Sequence, residues 1–217
     1  MADPRIAVTR REGRSAARPQ TPGDATALAR PVFYYDLVSP EAYLAAERVN
    51  ATLPVVPEWE PILLAELQGG ETLDAWRCEA ERNRVMEDLD RRALACGLQP
   101  MRWPPRWPGD SELAMLAATY AKGIGRAVAF SLAAFRQAFA AGRDLSDRDS
   151  VLIAAAACEL HPAAVLKAVE LRATRDALRG ATERAGAAGV RSVPTLRVGD
   201  ELFAGEDAVE VAARAAA

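Results

Sequence analysis

Few residues of this chain are equipped for chemistry. Among 217 residues there is one histidine, His161, and three cysteines, Cys78, Cys96 and Cys158. The cysteines form no Cys-x-x-Cys pair and have no spacing to His161 that suits a metal. The sequence therefore assigns no metal site and reads them as small core residues of a reducing, cytoplasmic compartment. The position that stands out is a serine. In Phe33-Tyr34-Tyr35-Asp36-Leu37-Val38-Ser39-Pro40-Glu41-Ala42-Tyr43 an apolar run enters a helical pattern through Ser-Pro. Serine at an N-cap with proline at the first helical position starts a helix without further help, the side-chain oxygen contributing about 1 kcal/mol by accepting a backbone N–H.

The elements that must position Ser39 follow from periodicity. Residues 31–38 read as a buried strand and 40–51 as a helix with Ala42, Tyr43, Ala46 and Val49 on one stripe. Residues 53–61 read as a second strand whose prolines keep it short or at an edge. From 62 to about 189 the pattern is helical: 72–96, stopped by Gly97; then the loop Met101-Arg102-Trp103-Pro104-Pro105-Arg106-Trp107-Pro108; then 111–122, 125–141, 147–159 and 162–188. Period two returns at Pro194-Thr195-Leu196-Arg197-Val198. Gly199-Asp200 makes a two-residue hairpin turn, and a closing helix starts near Glu206.

This order, β-α-β, a block of helices, then β-β-α, predicts an α/β, thioredoxin-like fold with a large all-helical insertion. Residues 31–61 and 190–217 form the core and 62–189 the insertion. Residues 1–30, with six arginines, three acids and no apolar stretch of signal-peptide length, read as a disordered extension. A net charge of −3 argues against a nucleic-acid surface, and no run is long enough for a membrane helix. In a thioredoxin-like fold, Val193-Pro194-Thr195 falls where a cis-proline faces the start of the first helix.

The residues Asp36 to Leu44 resemble the Asp-x-x-Ser-Pro signature of the 2-hydroxychromene-2-carboxylate isomerases and kappa-class glutathione transferases, in the DsbA-like branch of the thioredoxin superfamily. Pro61-Ile62-Leu63-Leu64, the Asp88, Arg92-Ala93 and Gly97 stretch, Val193-Pro194-Thr195 and Phe203 to Asp207 match as well. The resemblance implies an isomerase or transferase that uses glutathione or another low-molecular-weight thiol on a small electrophilic aromatic substrate. Ser39 is then the catalytic group, stabilising the cofactor thiolate. Pro40, Val193, Pro194, Glu206 and Asp207 bind the cofactor, while Tyr43, Trp103 and Trp107 line the substrate pocket. It also implies a homodimer.

At this junction DsbA-type enzymes carry Cys-Pro-x-Cys. Here the four residues are Ser39-Pro40-Glu41-Ala42, so dithiol exchange at the junction is excluded. Glu41 and Ala204 stand where aromatic residues are common in the family. They favour the alternative reading, a non-catalytic DsbA-like binding protein that has lost its redox cysteines.

Overall fold

The computed structural model describes residues 30–70, 72–73, 78–205 and 207–215. Among them the chain runs β1 (Val32–Tyr35), α1 (Pro40–Thr52), β2 (Glu58–Pro61), a 3-10 turn at Leu64–Glu66, then α2 (Glu79–Ala95), α3 (Glu112–Gly123), α4 (Ala127–Phe139), α5 (Arg148–Ala157), α6 (Pro162–Glu170) and α7 (Arg172–Ala187). It closes with β3 (Thr195–Val198), β4 (Glu201–Ala204) and α8 (Ala208–Ala215). The expected α/β order, with helices inserted between β2 and β3, is what the chain adopts.

The sheet order is β2-β1-β3-β4, with β1 parallel to β2 and antiparallel to β3. All four residues of β1 are buried because the strand is central and covered on both faces. Its alternation sorts the core into two. Phe33 and Tyr35 face a cluster built with α1, α3, α4 and α8, while Val32 and Tyr34 face Ala181 and Ala185 of α7. β2 takes the edge and is short, as its prolines suggest: Pro54 and Pro57 precede it and only four residues of the 53–61 run pair. The β3–β4 hairpin turns on Gly199 at φ +59°, a conformation glycine reaches without steric cost.

Two helices differ from expectation. The run at 162–188 is broken at Leu171, which is extended (φ −71°, ψ 131°) and ends α6 as it begins α7. The break lets Val165, Ala168 and Val169 face inward from α6, while Leu178, Ala181 and Ala185 do so from α7 in a new direction. The helix expected over 72–96 starts at Glu79, after an extended Cys78, and Leu73 lies in a turn.

One polar contact sits deep in the larger cluster. The Tyr35 hydroxyl and Ser131 Oγ of α4 are 2.6 Å apart, both residues fully buried, so sheet and insertion share a satisfied pair. Tyr35→Phe should therefore cost about 1–2 kcal/mol in urea unfolding by stranding the serine. Adding Ser131→Ala should recover most of that loss. If the two losses instead add independently, the pair is not a coupled contact.

Candidate active site

Ser39 is the N-cap of α1. Its backbone is extended (φ −88°, ψ 117°) and its Oγ accepts the Ala42 N–H at 3.1 Å. The same hydroxyl points its proton at the Val193 carbonyl at 3.3 Å, longer than the usual O–H···O bond and so weak. Ser39 is 0% exposed. The Val193-Pro194 peptide is cis, and the Pro194 carbonyl accepts the Gly205 N–H at 2.9 Å. Ser39, Pro40, Val193 and Pro194 are thus brought together, with the turn leading to α8 alongside. Asp207 is exposed just before that helix, its carbonyl accepting the Val211 N–H. Glu206 lies outside the described residues.

The segment before Ser39 is pinned by a buried carboxylate. Asp36, 1% exposed, accepts the Val38 N–H at 3.1 Å and the Leu64 N–H at 2.9 Å, and also hydrogen bonds Ser111. Burial raises its pKa; the Leu64, Ser111 and Val38 donors pull the other way without cancelling that effect. Asp36 and Val38 lie in the wall of an open cavity of about 610 Å³, lined also by Leu64, Thr72, Pro108 and Ser111.

The aromatic side chains expected near the site stand outside this cavity's wall. Tyr43 does not line this cavity: it is buried on the other side of α1, with ring centroids 5.7 Å from Phe139 and 6.1 Å from Phe135. At its position on the helix, the apolar stripe turns it to α4. Trp103 and Trp107 also lie outside the cavity wall, which takes Pro108 from their loop instead. The two indoles pack together at 4.5 Å, and Trp107 donates its Nε1–H to the Val38 carbonyl at 2.9 Å. Arg82 of α2 in turn donates to the Trp107 carbonyl at 3.1 Å.

Glu41 is half-buried and faces Arg92 of α2 at 3.9 Å, so the insertion offsets its charge. Arg84 is exposed. The cysteines are scattered: Cys78 exposed, Cys96 half-buried, and Cys158 buried with its Sγ donating to Ala154 and Ala155 carbonyls. Burial pushes the Cys158 thiol up, away from reactivity. Among the described residues no group of His, Cys, Asp and Glu could hold a metal, and no helix is long and apolar enough to cross a membrane.

A serine-capped first helix facing a cis-proline, on a four-stranded sheet split by helices, defines a thioredoxin-type site without its cysteines. The chain belongs to the DsbA-like thioredoxin domain family, whose model matches residues 32–217. It is 28% identical over 184 residues to a 2-hydroxychromene-2-carboxylate isomerase of Sphingobium xenophagum, covering 82% of this chain and 93% of that one. Among solved structures, a 2-hydroxychromene-2-carboxylate isomerase superposes with a TM-score of 0.74 at 20% identity, over 85% of this chain and 93% of the other. A probable DsbA oxidoreductase from Streptomyces coelicolor gives 0.72 at 20% identity, over 86% and 88%. At that identity these two structures speak for the fold alone.

The Asp36 carboxyl has a pH signature. Between its ordinary value and its raised one, the folded chain keeps a proton that the unfolded chain has lost, so its contribution to stability falls as pH rises. Asp36→Asn removes the titration and leaves one backbone N–H facing an amide donor. The stability advantage of the parent over Asp36→Asn, from urea midpoints, should be greatest below about pH 4 and shrink above it. An advantage that grows with pH would mean that Asp36 is ionised in the fold with a lowered pKa.

Proposed function

We propose that this chain is a thiol-dependent isomerase of a small electrophilic aromatic acid, of the 2-hydroxychromene-2-carboxylate isomerase type, with Ser39 stabilising the thiolate of glutathione or a similar small thiol. The observation that carries the reading is the Ser39 hydroxyl at the start of α1, hydrogen bonded to the carbonyl before cis-Pro194 and flanked through Val38 by the 610 Å³ cavity. The 28% identical isomerase supports the reaction class.

The donor set fits a thiolate. A helix N-terminus favours an adjacent anion by about 0.3–1 kcal/mol, and by up to about 2 when partly buried. A hydrogen bond to a charged acceptor adds about 1.5–3 kcal/mol. At about 1.36 kcal/mol per unit, these together lower a thiol by roughly 1.3–3.7 units from about 8.5, enough to ionise much of it near neutrality. When bound, the thiol supplies a nucleophile that adds to a conjugated double bond and is expelled again after rotation, with no net change in protons or electrons. Ser39 serves by turning its proton from the Val193 carbonyl, a weak 3.3 Å partner, to the sulfur. Val193 offers its backbone to the cofactor, and Asp207 stands exposed at the start of α8 for an amino group. The cavity beside Val38 takes the aromatic substrate.

A second reading, a binding protein without catalysis, is favoured by one observation: the Ser39 hydroxyl is fully buried with donor and acceptor both engaged. Turnover separates the two. Dialysed protein should isomerise a 2-hydroxychromene-2-carboxylate only when a small thiol is added. Ser39→Ala should lower kcat/KM by about 10-fold or more, and replacing Cys78, Cys96 and Cys158 should leave it intact. Binding of the aromatic acid without turnover under any thiol would favour the second reading.

A further inference from the structure

We infer that Trp107 is a positioning residue for Ser39: its indole N–H, on the Val38 carbonyl, fixes the peptide plane from which the serine hydroxyl is aimed. That plane joins Val38 to Ser39, and both of its polar groups are held. Its carbonyl accepts from Trp107 Nε1 at 2.9 Å, and its N–H donates to the Asp36 carbonyl at 3.1 Å. A peptide unit pinned at both ends cannot rotate, so the φ of Ser39 is set at −88° and its Oγ lies over the Ala42 N–H.

The indole is itself held. Trp107 is 6% exposed, its ring packs on Trp103, and its carbonyl is gripped by Arg82 of α2. The Pro/Trp loop is thereby a strut from the helical insertion to the turn that carries the site, and its cis Trp107-Pro108 bond leads directly into the cavity wall. Without the indole N–H, the Val38 carbonyl loses this partner and the plane is held only through the Ser39 N–H, about which it can tilt. Its partial negative charge can then approach an anion at Ser39, and Oγ loses alignment with the helix amides. Either change disfavours a thiolate.

This inference rests on the reading of Ser39 as the thiolate's donor, but its test does not need the cofactor. Ser39→Cys places a thiol at the N-cap, in a background with Cys78, Cys96 and Cys158 replaced. Its pKa is read from the pH dependence of alkylation, alone and combined with Trp107→Phe, which keeps an aromatic ring but lacks the N–H. The expected result is a pKa about one unit higher with Trp107→Phe, a tenfold smaller thiolate fraction at neutral pH, with a melting temperature within a few degrees of the parent. Arg82→Gln, which loosens the strut one step further out, should shift the pKa in the same direction by less. An unchanged pKa in both variants overturns the inference. If the introduced thiol responds as expected while the parent chain binds no small thiol, the positioning role stands and only the thiol-dependent reading falls.

Discussion

The antiparallel pairing of β1 with β3, with Tyr34 opposite Thr195, brings the two ends of the thioredoxin core together. Everything chemical about the site depends on it. The pairing places the start of α1, which follows β1, against the cis-proline that leads into β3, and the Ser39 hydroxyl meets the Val193 carbonyl across that gap. The four-stranded sheet sets their separation, and the large aromatic cluster of Phe33, Tyr35, Trp59 and Phe135 beneath it resists deformation.

The helical insertion does more than cover the sheet. Three of its contacts converge on the turn between β1 and α1: Ser111 with Asp36, Trp107 with Val38, and Arg92 with Glu41. The third bears on the proposed thiolate, since Glu41 would weaken an adjacent anion if its charge stood unopposed. Met115 adds a fourth tie, its Sδ accepting the Leu37 N–H at 3.3 Å. A junction only four residues long is thus referenced to segments far away in the chain, which is how a buried hydroxyl can be held for one geometry.

Much of this fold was legible in the sequence because its signals are local. The continuous apolar run from residue 31, of which 32–35 form β1, the period-two run at 194–198, the Gly199-Asp200 turn and the Ser39-Pro40 cap need no knowledge of neighbours. The pairing of Ser39 with Pro194 was legible only once the element order had suggested a thioredoxin-like fold. What stayed hidden depends on distant partners. Nothing near Trp107 says that its indole will reach Val38 rather than a substrate, and nothing near Asp36 names Leu64 or Ser111. Leu171 carries no glycine or proline to announce the break between α6 and α7; the break follows from where each helix must pack. Tyr43 shows the same limit, since a helical stripe gives its face but not which neighbour fills it.

The claim at the centre of this account is that the junction holds a sulfur anion that the chain itself does not supply. Thiolate difference absorbance in the ultraviolet, with glutathione titrated against the parent and Ser39→Ala across pH, tests it most directly. The account expects a bound-thiolate band in the parent at neutral pH, with an apparent pKa about one to two units higher in Ser39→Ala. Bound glutathione that titrates identically in both proteins, at the ordinary value of a free thiol, would contradict it.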